Sequence, residues 1–152
     1  MKRAADQPRV FADMSIEGTE ARSKLLHEKL TEEVIGAAIE VRRILGPGLL
    51  ESAYEECLCQ ELHLRGLKFE RQVPLPVRYK DVSLDCGYRI DLIVEGLLVL
   101  ELKSIEHVLP VHEAQLLTYL KLTGKRVGLI MNFNVSIDAR RNHQKGAVGF
   151  LL

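Results

Sequence analysis

The sequence lacks any charge imbalance, since Lys plus Arg and Asp plus Glu both number 21 among its 152 residues. A broad basic surface that coats nucleic acid is therefore excluded, although a local basic cleft is not. The sequence also lacks an apolar run long enough to span a bilayer, and no apolar run follows Lys2 and Arg3. We therefore expect neither a membrane segment nor a secretory signal.

Cysteine is scarce and occurs without a CxxC pair, at Cys57, Cys59 and Cys86. An odd, unpaired set is typical of buried thiols in a reducing compartment, which predicts a cytoplasmic protein with no metal or redox role for these residues. With 47% hydrophobic residues, the chain can bury a core without disulfides. We predict a flexible leader over residues 1–28 and one domain over residues 29–152.

The periodicity of apolar residues gives an order of helices and strands. We expect a helix that begins with a Thr31 cap and ends before Gly46, then a second helix from about Leu49 to Arg65. An edge or interrupted strand follows, because Pro74 and Pro76 cannot both donate to a ladder. Strands over 88–94 and 97–103, a helix over 110–124 and an interior strand over 127–133 complete the order. This order predicts an α/β fold with a mixed central sheet flanked by helices, in which the last helix connects two parallel strands.

Three charged residues interrupt the two apolar strands of a predicted hairpin, namely Asp91, Glu101 and Lys103. A charge in a central strand is costly to remove from water. These side chains therefore need partners, solvent or a metal ion.

The length of the hairpin loop decides whether the two acids can meet. Glu101 and Lys103 are two residues apart and point to one face. A two-residue loop of Glu95-Gly96 would put Asp91 on the opposite face, whereas a three-residue loop of 94–96 would put it diagonal to Glu101, with Cβ atoms roughly 7 Å apart. We predict an odd-length loop, which lets two carboxylates share one divalent cation. The alternative is a solvated hairpin face with an ion pair to Lys103.

Other polar residues lie at positions where they could face the same cleft. Glu51 is at the edge of the apolar stripe of the second helix, although a first-turn acid is also favoured by the helix dipole. His112, Gln115 and Tyr119 share one face of the later helix. A basic cluster near the end of the chain either contacts phosphates or forms a solvated loop: Arg140, Arg141, His143 and Lys145.

These motifs together resemble those of a known family. Asp91 followed, after nine residues, by Glu101-Leu102-Lys103 resembles the signature of the PD-(D/E)XK nuclease superfamily. Gln115-xxx-Tyr119 is similar to a motif of its exonuclease branch, and Gly48-xx-Glu51-xx-Tyr54 resembles the signature of the GxxExxY proteins. The resemblance runs from about residue 30 to residue 133. It implies a restriction-endonuclease-like core, of order α-β-β-β-α-β, with an extra N-terminal helix.

The resemblance also implies an activity, the metal-dependent hydrolysis of phosphodiester bonds in nucleic acid. Asp91, Glu101, the Leu102 carbonyl and Glu51 would bind Mg²⁺ or Mn²⁺, and Lys103 would orient or deprotonate the attacking water. The substrate-positioning residues would be Gln115, Tyr119 and His112.

The expected partner is nucleic acid, with DNA favoured over RNA, and a homodimer is compatible with the sequence. Two alternatives stay open. One is a catalytically inactive module that binds nucleic acid or protein on the nuclease scaffold. The other is a structural ion-pair network that holds no metal.

Overall fold

The computed structural model describes residues 19–134 and 149–151, which form three helices and seven strands. The helices are α1 (Thr19–Leu45), α2 (Glu51–Leu64) and α3 (Pro110–Thr123). The strands are β1 (Phe69–Pro74), β2 (Val77–Tyr79), β3 (Val82–Leu84), β4 (Arg89–Val94), β5 (Leu98–Lys103), β6 (Val127–Asn132) and β7 (Gly149–Leu151).

Five of these strands form one mixed sheet in the order β1-β4-β5-β6-β7. Neighbouring strands are antiparallel except β5 and β6, which are parallel and are connected through α3. This arrangement confirms the predicted α/β fold, a restriction-endonuclease-like sheet flanked by helices. It also confirms the parallel pairing across the last helix.

The first helix is longer than the sequence predicts. The predicted start at Thr31 is wrong, because α1 begins at Thr19. No glycine or proline interrupts the chain between these residues, and the buried His27 and Leu30 extend the packed face of the helix toward its start. Residues 1–18 of the predicted leader lie outside the described residues, so the division at residue 28 stays a prediction.

The second helix occupies the predicted segment, but its packed face differs. Leu50 and Leu64 fall at the three-and-four spacing that predicts the buried stripe of this helix, but they are 77% and 52% exposed, so that prediction is wrong for both. Leu50 is the extended residue that precedes the helix, and Leu64 is its last residue. The buried face instead consists of Tyr54, Glu55, Leu58, Cys59 and Leu62.

The extended segment after α2 is interrupted, as its prolines predict. β1 is the edge strand of the main sheet, while β2 pairs with β3 in a separate two-stranded sheet. β3 is not predicted from the sequence, because it is short and its side chains are all exposed, with no alternation in burial. Cys86, which follows β3, is exposed, so the prediction that all thiols are buried is wrong at this position.

The core lies on both faces of the main sheet, and this decides where the charged residues point. Leu100 and Leu102 of β5 belong to the cluster that packs against α1 and α2. Val99 belongs to the cluster that contains the buried residues of α3. Because side chains alternate along a strand, Glu101 and Lys103 lie on the same face as Val99. In the described part of the chain, no helix is long and apolar enough to cross a membrane.

Candidate active site

The β4–β5 hairpin brings Asp91 and Glu101 together. Its register pairs Leu92 with Leu100 and Val94 with Leu98, so the loop comprises the three residues 95–97. The predicted odd length is confirmed, but the loop lies one residue later than predicted. Extending the register by one residue places Asp91 directly opposite Glu101, so the predicted diagonal pairing is wrong.

The shifted loop has an identifiable cause outside the hairpin. The Glu95 N–H donates a hydrogen bond to the Lys68 carbonyl oxygen at 2.8 Å, and the Glu95 carboxylate accepts one from the Lys68 N–H at 3.2 Å. Glu95 and Gly96 both adopt left-handed backbone conformations, with φ of 53° and 66°. These contacts hold Glu95 against Lys68, outside the β4–β5 ladder, so Val94 is the last residue of β4.

Each acid also bonds to the opposite strand. The Leu102 N–H donates a hydrogen bond to Asp91 Oδ2 at 2.8 Å, and the Asp91 N–H donates to Glu101 Oε1 at 3.4 Å. Backbone donors therefore hold both carboxylates against the hairpin, on one face of it.

Burial raises the pKa of both acids. Glu101 is only 6% exposed, and its burial, followed by the negative charge of Asp91, raises its pKa to about 8. Burial is also the largest cause that raises the pKa of Asp91, while the hydrogen bond from Leu102 partly opposes this shift. The folded protein thus destabilises the charged form of both acids.

Lys103 supplies positive charge to the site without forming an ion pair. Its charge lowers the pKa of both Asp91 and Glu101, although it is a smaller cause than burial. Among the described residues, Lys103 has no ion pair within 4.0 Å with either acid. The structure therefore does not contain the alternative arrangement, in which Lys103 forms an ion pair with one of the acids.

Glu51 is the first residue of α2 and lies beside the end of β5. Its Oε1 accepts a hydrogen bond from the Ser104 N–H at 3.3 Å, and Ser104 directly follows β5. The charge of Glu51 is the last of the causes that raise the pKa of Glu101. Glu51 is therefore near the acid pair, but its described hydrogen bond is to the backbone.

The Gly48-xx-Glu51-xx-Tyr54 motif has a structural explanation. Gly48 has a φ of 90°, which side chains disfavour, and it lies in the loop that leads into α2. Tyr54 Oη donates to the Gly46 carbonyl oxygen at 2.6 Å and accepts from the Leu49 N–H at 3.3 Å. The Tyr54 ring also stacks on Phe133, with centroids 4.5 Å apart. Tyr54 thus anchors the loop that positions Glu51.

Two of the predicted positioning residues on α3 form one unit. Gln115 Nε2 donates a hydrogen bond to Tyr119 Oη at 2.6 Å, and Tyr119 is buried. Burial, followed by the charge of Glu101, raises the pKa of Tyr119. Tyr119 therefore faces the acid pair from the α3 side of the sheet.

His112 has a different contact, since its Nδ1 accepts a hydrogen bond from the Leu109 N–H at 2.9 Å and caps the start of α3.

Two further residues, which were not predicted from the sequence, lie beside the acid pair. Gln72 Nε2 donates hydrogen bonds to Glu55 Oε1 at 2.6 Å and to Asp91 Oδ1 at 3.3 Å. Glu55 is 8% exposed and also accepts a hydrogen bond from Arg71 at 2.8 Å. Glu55 could have been found, because it follows Glu51 by four residues on one face of a helix. The role of Gln72 depends on the β1–β4 pairing and has no local signal.

Other predicted features do not extend this site. The basic cluster of Arg140, Arg141, His143 and Lys145 lies outside the described residues. The described residues contain no group of three or more His, Cys, Asp or Glu side chains arranged to hold a metal ion. A separate groove of about 550 Å³ between α1 and the start of β6 shares no residue with the acid pair; it is lined by Ser23, Lys24, His27, Glu28, Thr31, Glu32, Arg126 and Val127.

The fold and the paired acids define an α/β protein of the restriction-endonuclease type. The family model of the PD-(D/E)XK nuclease superfamily matches residues 28–145, and the chain therefore belongs to this superfamily. No curated protein and no solved structure gives a match. Membership indicates a nuclease-type function and, by implication, a nucleic-acid substrate.

Proposed function

We propose that this protein is a metal-dependent nuclease that hydrolyses phosphodiester bonds in nucleic acid. The observation that carries the proposal is the position of Asp91 directly opposite Glu101, with Lys103 two residues further along the same face. A buried acid, a half-buried acid and an amine that face one another without an ion pair are costly to maintain in a purely structural role.

The acid pair fits a divalent cation by its charge and its donor atoms. Carboxylate oxygens are hard ligands, which favours Mg²⁺ or Mn²⁺. Asp91 and Glu101 would hold the ion, and the Leu102 carbonyl and Glu51 are the proposed further ligands. When bound, a divalent ion supplies Lewis-acid chemistry that neutralises phosphoryl charge and makes a water molecule more acidic.

The remaining residues of the site act on the water and the substrate. Lys103 orients or deprotonates the attacking water and offsets negative charge in the transition state. Gln115 and Tyr119 position the scissile phosphate or the lysine amine. The hydroxyl of Tyr119, whose pKa is raised by burial, can donate a hydrogen bond. His112 is the least supported of these residues, because Nδ1 already caps α3.

The finer parts of the proposal rest on sequence motifs. We assign the chain to the GxxExxY group because Gly48, Glu51 and Tyr54 together build the loop beside the acid pair. DNA as the preferred substrate, a cytoplasmic location and a homodimer are retained as predictions.

A second candidate is a catalytically inactive module on the same scaffold. It is favoured by the absence, among the described residues, of a group of three metal-ligating side chains. This candidate predicts that the protein binds nucleic acid or a protein partner and cleaves no phosphodiester bond.

A cleavage screen on labelled DNA and RNA with Mn²⁺ tests the proposal. The variants are Lys103→Ala and, as a matched control, Lys121→Ala, because Lys121 is exposed on α3. We expect wild type and Lys121→Ala to cleave equally and Lys103→Ala to lose about 100-fold or more in rate. Retained activity in purified Lys103→Ala would refute the proposed role of the amine, and no cleavage by wild type would favour the inactive module.

A further inference from the structure

A glutamine amide lies between two carboxylates at the edge of the candidate site. Gln72 is in β1, whose register with β4 pairs Arg71 with Leu92 and Val73 with Ile90, so Gln72 lies opposite Asp91. Its Nε2 donates to Asp91 Oδ1 and to Glu55 Oε1, at 3.3 and 2.6 Å. One side chain therefore links α2, β1 and β4.

The backbone at Gln72 is in an unfavourable conformation. Its φ is 49°, in the left-handed region that residues with a side chain disfavour. Gln72 and its neighbours Glu70 and Arg71 are all exposed, so no core packing of its side chain explains this conformation. A strained backbone that aims a side chain at a functional group is typical of functional sites.

Glu55 determines which way the amide points. A carboxylate only accepts hydrogen bonds, so Glu55 and Asp91 both select the NH₂ group of Gln72 and reject its oxygen. Glu55 is itself held, because it is buried and Arg71 donates to its other oxygen at 2.8 Å. The amide of Gln72 is consequently held in one orientation toward Asp91.

This orientation completes the support of the Asp91 carboxylate. Oδ2 accepts from the Leu102 N–H at 2.8 Å, and Oδ1 accepts from Gln72. We propose that Gln72 is a positioning residue that fixes the Asp91 carboxylate for metal binding, and that Glu55 acts through Gln72. The inference rests on the proposed function, since it assumes that Asp91 binds a divalent ion. Groups that orient a metal ligand change metal affinity by about 10- to 100-fold when they are removed.

The test uses two variants of the full chain that suit a left-handed backbone. Gln72→Gly removes the amide and relieves the backbone conformation. Gln72→Asn keeps an amide and tolerates this conformation, but it is one methylene shorter and cannot reach both acids. Gln60→Asn is the matched control, because Gln60 is an exposed glutamine of α2.

The measurements are calorimetric titration with Mn²⁺ alone, thermal unfolding without metal, and cleavage rate against Mn²⁺ concentration. We expect both Gln72 variants to have an unfolding temperature no lower than that of the control. We also expect them to bind Mn²⁺ about tenfold more weakly than wild type. Their cleavage rate should recover at high Mn²⁺ concentration, because a positioning residue affects occupancy of the site more than the chemical step. The control should match wild type in all three measurements.

A double variant separates the role of Glu55 from a simple charge effect. If Glu55 acts through Gln72, then Glu55→Gln combined with Gln72→Gly should bind Mn²⁺ no more weakly than Gln72→Gly alone. Additive losses would overturn the role of Glu55 as the residue that orients Gln72. Unchanged Mn²⁺ affinity in both Gln72 variants would overturn the proposed role of Gln72 and leave the proposed function intact. Wild-type protein that binds no Mn²⁺ would overturn both the proposed function and this inference.

Discussion

Asp91 and Glu101 lie directly opposite each other on β4 and β5, and each carboxylate accepts a hydrogen bond from the backbone of the other's strand. The two acids lie on one face of a hairpin, Glu101 buried and Asp91 half-buried, with the Lys103 amine near enough to lower the pKa of both acids. This relationship has measurable consequences for stability as well as for activity, because like charges that are removed from water oppose folding.

The first prediction concerns the pH dependence of stability without metal. The pKa of Glu101 is about 8 in the folded protein and has a usual value of 4.5. As pH rises between these values, the unfolded chain releases a proton that the folded protein keeps, so the free energy of unfolding falls. The limiting slope is about 1.4 kcal/mol per pH unit for one group.

Urea unfolding between pH 5 and pH 9 would measure this slope. In Glu101→Gln the contribution is absent, and we expect a flatter profile and a more stable protein than wild type at the alkaline end. The comparison removes the contribution of other groups, since both proteins share them. Parallel profiles for wild type and Glu101→Gln would show that burial does not perturb this acid.

The second prediction concerns the double variant of Asp91→Asn and Glu101→Gln. The substitutions remove both negative charges, while the amide oxygens can still accept the hydrogen bonds from Leu102 and Asp91 N–H groups. We expect a metal-free protein that is more stable than wild type at pH 8, by about 1–4 kcal/mol. A structural ion-pair network predicts the opposite sign, so a neutral or lower stability of the double variant would support that alternative.

How far sequence could predict this site depends on which contacts are local. The period of two in a strand placed Glu101 and Lys103 on one face, and an odd loop was enough to bring Asp91 to that face. The exact register was not predictable, because it depends on Glu95 bonding to Lys68, a residue 27 positions earlier. The position of Gln72 beside Asp91 was not predictable for the same reason, since it depends on the pairing of β1 with β4.

Helix ends show the same division between local and tertiary causes. Pro110 and Gly124 bound α3 as predicted, because proline suits a first turn and glycine adopts the left-handed cap, here with φ of 70°. The predicted start of α1 is twelve residues too late, because Thr31 is a plausible N-cap in the sequence but lies inside the helix in the structure. Burial of Leu30 outweighs that local signal.

The third prediction tests how Tyr54 supports Glu51. Tyr54→Phe should keep the stacking on Phe133 and lose the hydrogen bonds to Gly46 and Leu49. We expect a loss of about 1–2 kcal/mol in the free energy of unfolding. We also expect weaker Mn²⁺-dependent cleavage, because the loop before α2 is no longer anchored.

Tyr79→Phe is a suitable control for this experiment, since Tyr79 is 62% exposed on β2. It should leave both stability and cleavage unchanged. If Tyr54→Phe were as stable and as active as this control, the hydroxyl would have no part in positioning Glu51.

The fourth prediction tests the central claim, that Asp91 and Glu101 together bind a divalent ion. Calorimetric titration of Mn²⁺ into wild type and into Asp91→Asn measures it most directly, since the substitution keeps the size of the side chain and removes one charge. We expect one saturable site in wild type and at least a tenfold loss of affinity in Asp91→Asn. Equal heats of binding in the two proteins, or no binding in either, would contradict the claim.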